Sequence, residues 1–283
     1  MSQSAAIFLG SAQVEVTLPS ASSETLPGIP WGAIGAFPTP AYWAYQVIAR
    51  RVAGAHLSHR LGNTLQEEVA ACLLGGHGIP AAVGLAAFQK LRALGLLTGA
   101  PDSPALLKAL SEPIALKNGN LVRYRFARQK AHYLGQALAQ LGRETPPLDC
   151  GRSLRDWLVN LPGIGFKTAS WVARNWLDAD DIAILDIHVL RAGALGGFFD
   201  RDLRVERDYL RLEEQFIRLA RALGVRSSEL DAVIWLEMMS SPTTVRQLMG
   251  GNRAGVRPVA KAKPSPPNSL PRRRTNKRPA DTR

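Results

Sequence analysis

The chain has 283 residues, 46% of them hydrophobic and 20% charged, a mix that can bury a sizeable core in one large domain or two small ones. No apolar run is long enough to cross a bilayer, and the first Lys or Arg is Arg50, so the N-terminus lacks the basic start of a secretory signal. Two cysteines, Cys72 and Cys150, are too few for a four-thiolate iron–sulfur cluster and outline no disulfide framework, so a reducing cytoplasm is the expected setting.

The net charge of +12 points to a polyanionic partner, but it is unevenly placed. Residues 251–283 hold ten Lys/Arg and one acid, leaving only +3 for residues 1–250. Affinity of the folded part for a polyanion such as DNA would therefore have to come from a local patch, with the tail adding non-specific, salt-dependent attraction.

In chain order, residues 1–40 carry no cation and five prolines, and read as an irregular extension. Residues 41–249 carry repeated helical patterns and no evident pair of alternating strands, so the class is all-α. Helices are expected at 70–74 and 81–94, around the Gly75-Gly76-His77-Gly78 turn, and from Phe126 through Leu141. Ala169, Val172, Ala173, Trp176 and Leu177 mark the apolar face of another, spanning 166–177. Tyr209, Leu212, Phe216, Leu219 and Ala220 form a further stripe stopped by Gly224, and Ser228 is placed to cap the helix after it. Trp31 and Trp43 read as core packing. Residues 250–283, rich in Pro, Arg and Lys, read as a disordered basic tail. Its Pro271-Arg-Arg-Arg run could direct a eukaryotic protein to the nucleus; otherwise it is a DNA-seeking arm in a protein of the cytoplasm and its nucleoid.

The chemistry concentrates between residues 161 and 191. Leu161-Pro-Gly163-Ile164-Gly165 joins two helical segments, 154–160 and 166–177. Such a turn leaves the next helix's first N–H groups outward, and glycines let a phosphate approach the backbone. It is either a grip on the DNA backbone or an ordinary helix–helix corner. Lys167 follows in the first turn of that helix, where the backbone dipole disfavours a cation. That place suits an amine nucleophile, or else a phosphate contact. Asp186 stands alone in the apolar run 182–190, a costly place for a carboxylate without a task. It could serve catalysis, cap a helix starting at Ile187, or do both. His188 reads as a structural or phosphate-contacting residue rather than a catalytic base.

Together, residues 161–170, Ile184-Leu-Asp186-Ile-His188 and Arg191 resemble the helix-hairpin-helix glycosylase superfamily, and within it the second, archaeal and bacterial, family of 8-oxoguanine DNA glycosylases. Arg123-Tyr-Arg-Phe126-Ala-Arg-Gln-Lys130 and Leu230-Asp231-Ala-Val-Ile-Trp235 support that branch. The resemblance covers roughly residues 65–237. It implies a two-lobed helical fold with the cleft between the lobes, and a monomer acting on double-stranded DNA. Lys167 would be the Schiff-base lysine and Asp186 the catalytic aspartate. Gly163, Ile164, Gly165 and His188 would hold the DNA backbone. Trp235 would stack on the flipped base, with Phe126 on its other face; core packing is the plain alternative for both. No redox cofactor or catalytic metal is implied, although hairpin carbonyls could hold a monovalent cation. In that family the chain ends shortly after the Trp motif and its terminal lysine takes part in base recognition. Here the chain runs on past Trp235, and residues 1–40 lie outside the pattern. Excision of another damaged base, or DNA binding without catalysis, are the competing readings.

Overall fold

The computed structural model describes residues 1–54, 60–76, 78–99 and 102–251. His77, part of the expected turn, and nearly all of the expected tail lie outside the described residues. Where described, the chain forms eleven helices and three two-stranded antiparallel sheets.

The N-terminal stretch is not irregular. Strands β1 (Gln3–Leu9) and β2 (Ala12–Leu18) make a hairpin in which Ala5 faces Val16 and Ile7 faces Val14. β3 (Glu24–Leu26) and β4 (Ile29–Pro30) make a shorter one. The alternation is diluted by Ala, Ser and Thr, so no apolar stripe announced it. Burial explains its existence: Ile7, Val16, Leu18 and Trp31 all enter a core built by later helices.

Helix α1 (Pro40–Val52) starts where Thr39 accepts the Tyr42 N–H at 3.1 Å and Pro40 fits the first turn. Then come α2 (Leu65–Leu74), α3 (Ala81–Ala93), α4 (Ser103–Ser111), the short pair β5 (Ile114–Ala115) and β6 (Leu121–Val122), α5 (Ala127–Arg143), α6 (Gly151–Leu158) and α7 (Phe166–Leu177). The chain closes with α8 (Ile187–Gly196), α9 (Val205–Ala222), α10 (Ser227–Ser240) and α11 (Pro242–Gly251). Residues 250 and 251, expected to begin the tail, thus end a helix. The cap of α10 also differs from expectation. Ser228 sits inside the first turn, and Asp180 caps the helix from outside by accepting the Ser228 N–H at 3.1 Å.

Two hydrophobic cores divide these elements. The first gathers α2 to α7, around Phe88, Leu106, Leu134 and Leu158. The second gathers the N-terminal hairpins, α1 and α8 to α11, around Trp43, Leu212, Phe216 and Leu230. The seam falls between Ile182 and Ala183, so the N-terminal segment folds back onto the C-terminal lobe. Trp31 and Trp43 are core residues of that lobe. The α1–α10 contact is fastened by Arg50 to Glu237 at 2.9 Å, by Tyr42 to the same carboxylate at 3.1 Å, and by Arg51 to Glu229. Among the described residues no helix is long and apolar enough to cross a membrane.

Candidate active site

The hairpin crosses from α6 to α7 on the first lobe. Ile164 is buried and anchors it, while Gly163 and Gly165 face outward. Gly163 has φ +77°, a left-handed backbone, and a Cβ there would overlap the Tyr133 ring. Gly165 has φ −94° and precedes the first helical residue of α7, and a Cβ there would meet nothing within 4 Å. No side chain caps α7. Its first N–H groups and the positive end of its dipole therefore point into open space.

Lys167 rises from this first turn, and its amine lies 3.3 Å from Asp186 Oδ2. The lysine side chain is 41% exposed and the aspartate 9%. Asp186 caps α8: Oδ1 accepts the His188 N–H at 2.8 Å and the Val189 N–H at 3.2 Å. One carboxylate oxygen is thus spent on the helix, and the other is turned toward the amine. Capping the helix and facing the amine are thus compatible in one carboxylate. Because Lys167 belongs to the first lobe and Asp186 to the second, the pair spans the seam.

The segment 182–185 that delivers Asp186 is held by side chains to which sequence reasoning gave no part in the site. Glu213 Oε1 accepts the Ala183 N–H at 3.1 Å, Asp231 Oδ2 the Ile184 N–H at 2.9 Å, and Tyr209 Oη the Leu185 N–H at 3.2 Å. Tyr209 also donates to the Ala183 carbonyl at 2.8 Å, and Ser227 Oγ to that of Ile182 at 2.9 Å. Burial, opposed by Arg174, pushes the Asp231 carboxyl up to about 6. Burial also raises Glu213, against the pull of Arg155, and lifts the Tyr209 phenol well above its ordinary value. The signal was present: Glu213 falls on the apolar face of α9, one turn after Tyr209, where a lone charge needs a partner.

The remaining candidates separate. His188 is half-buried beside Asp186. Trp235 lies on α10, 38% exposed, so core packing does not consume it. Phe126 stands at the start of α5 on the first lobe, half-buried, with the Arg125 guanidinium 5.1 Å from its ring centre. Phe126 and Trp235 thus stand on different lobes, at the start of α5 and on α10. The described residues hold no group of three or more His, Cys, Asp or Glu placed for a metal ion.

A family model described as 8-oxoguanine DNA glycosylase matches residues 55–225, the hairpin, Lys167 and Asp186 included. The chain belongs to this family. Among curated relatives, the 8-oxoguanine DNA glycosylase/AP lyase of Methanocaldococcus jannaschii is 32% identical over 117 residues, 40% of this chain and 56% of that protein. A protein of the same name from Saccharolobus islandicus is 34% identical over 146 residues, 46% of this chain and 70% of its own length. The chain therefore spans little more than half of the Methanocaldococcus relative it matches. Among solved structures, the Methanocaldococcus glycosylase/lyase bound to 15mer DNA containing 8-oxoguanine superposes with TM-score 0.50 at 22% identity, covering 71% of this chain and 90% of that one. A non-covalent endonuclease III–DNA complex does so with TM-score 0.50 at 19% identity, covering 70% and 85%. These likenesses establish the helix-hairpin-helix glycosylase fold. The family match ends before α10, so Trp235 lies beyond it, as do residues 1–54.

Proposed function

We propose that this protein excises 8-oxoguanine from double-stranded DNA and then cuts the strand, using Lys167 as nucleophile and Asp186 as its carboxylate partner. The observation that carries the reading is the 3.3 Å approach of the Lys167 amine to Asp186 beside an uncapped helix N-terminus. The names of the curated relatives support the lesion and the lyase step.

A base buried in duplex must first be flipped out. The free N–H groups after Gly165 suit a phosphate, which would register the strand on the hairpin. His188, at the N-terminus of α8, suits a second phosphate contact. Trp235, exposed on the second lobe, offers a face for the flipped base. The Lys167 amine attacks C1′, and the C1′–N9 bond breaks with its electron pair leaving on the base, which takes up a proton. The Asp186 carboxylate stabilises positive charge developing on the sugar and accepts a proton from the amine. The sugar ring opens to a Schiff base, the C2′ proton becomes acidic, and its removal expels the 3′ phosphate by β-elimination. The Leu161 carbonyl already accepts the Ile164 N–H at 3.1 Å, and no step needs a cation at the hairpin.

Borohydride should trap a covalent complex with lesion-bearing duplex, and Lys167→Gln should abolish it. Trapping that survives the substitution would sink the assignment. One feature favours a second reading, excision of a different base: the Trp235 helix and α11 lie beyond the family match, where the pocket's specificity would be set. Cleavage of a panel of defined lesion duplexes separates the two.

A further inference from the structure

The acceptors that hold residues 183–185 are each backed from the opposite lobe. Glu213 is paired with the buried Arg155 on α6. Asp231 is paired with Arg174 on α7 at 2.7 Å. The Tyr209 ring stacks on Phe166, also on α7, with centroids 5.3 Å apart and planes at 17°. Phe166 is the residue before Lys167, and Arg174 lies two turns further along the same helix. The helix that carries the amine therefore also fixes, through two side chains, the parts that hold the carboxylate's segment.

Segment 182–185 is largely buried, so its N–H groups must find partners inside the protein. Three consecutive N–H groups are taken by three side chains from α9 and α10. Two of those acceptors are carboxylates buried at the cost of their hydration and repaid by guanidinium partners across the seam. Rigid supports of this kind are what hold reacting groups at a set separation, since an error near 1 Å costs about a hundredfold in rate.

Resting on the glycosylase reading above, we infer that Tyr209, Asp231 and Glu213 are positioning residues that set the Lys167–Asp186 separation across the two lobes, referenced to α7. They touch neither the amine nor a substrate; they act through Asp186.

Tyr209→Phe keeps the ring stack and deletes the hydroxyl that bonds Ala183 and Leu185. Single-turnover excision should fall roughly tenfold, the loss expected for a hydrogen bond to a buried peptide group, with duplex affinity unchanged. In the Asp186→Asn background the same change should add less than about twofold, because its effect runs through that carboxylate. Amide exchange supplies a readout that needs no turnover. Tyr209→Phe should speed exchange at the His188 and Val189 amides, which Asp186 caps, and not only at Leu185. Phe166→Leu, which removes the ring backing Tyr209 and leaves every hydrogen-bonding group in place, should do the same from the other lobe. Full additivity with Asp186→Asn, or His188 and Val189 exchange unchanged in both variants, overturns the inference. Should the wild type cut no lesion duplex, the glycosylase reading falls, and the exchange result alone decides the positioning.

Discussion

Gly165→Ala isolates the hairpin's interaction with DNA from its role in the fold. The backbone at Gly165 has φ −94°, open to any residue, and an added Cβ meets nothing within 4 Å. Two small effects on stability oppose each other. Alanine reduces the freedom of the unfolded chain, worth about 0.4–1 kcal/mol in favour of the fold. It is also a poorer helix N-cap than glycine, which costs about 1 kcal/mol. The net should lie within about 0.5 kcal/mol, a shift in Tm of roughly 1–2 °C for a chain of this size. DNA affinity should respond differently. The methyl group would occupy the space over the free N–H groups where a phosphate must sit. Loss of one charge-assisted contact is worth about 1.5–3 kcal/mol, or roughly a 10- to 100-fold weaker Kd, with little change in the salt slope because no Lys or Arg is removed. Gly163→Ala is the contrast: φ +77° and the Tyr133 ring make it a folding defect, costing about 1–2 kcal/mol from the left-handed backbone before the ring is displaced. Fluorescence anisotropy across a salt series, beside thermal melts, reads both variants. Gly165→Ala binding duplex as tightly as the wild type across the series would refute the hairpin as a phosphate site.

Trp235→Ala should cost little stability, since the side chain is 38% exposed, yet slow single-turnover excision; Trp43→Ala, fully buried, should destabilise by about 3–5 kcal/mol. A large loss of melting temperature with unchanged excision for Trp235→Ala would return that residue to the core. Stability should carry a mark of Asp231. Its folded carboxyl, raised to about 6 from 3.8, keeps a proton that the unfolded chain has released between those values. Its contribution therefore falls as pH rises from about 4 to 6, by up to about 3 kcal/mol, and is flat above. The wild-type minus Asp231→Asn difference in denaturant stability measures it, and a difference that grows over that window would show the Arg174 pairing to dominate instead. Ending the chain after Gly251 removes ten positive charges, counting none in the folded part, and should weaken duplex binding and flatten its salt dependence without altering lesion preference. An altered preference would place the tail in the pocket.

The cassette was legible because its parts are short-range. A Pro-Gly-x-Gly turn, a lysine in the next helical turn and a carboxylate at the start of a following helix each act through their own backbone neighbourhood, so spacing alone displays them. Helix α7 was placed to the residue for the same reason: its apolar face repeats with helical period from Ala169 to Leu177. The N-terminal hairpin was not legible. Its buried set is only Ile7, Val16 and Leu18, spread over two strands, and the core that buries it is built by α1 and by α8 to α11, all later in the chain.

The sequence by itself determined the chemistry on offer: an amine, a carboxylate and a turn stripped of side chains, each specified by residue type and local spacing. Tertiary structure decided how the amine and the carboxylate meet. Lys167 and Asp186 stand on opposite sides of a seam between two cores, 3.3 Å apart. What sets that gap is a group of buried side chains, Tyr209, Glu213 and Asp231, braced by Phe166, Arg155 and Arg174 from the other lobe. A charge in an apolar stripe announces that it needs a partner, but the identity of that partner depends on how two helices pack, which no periodicity along one chain encodes.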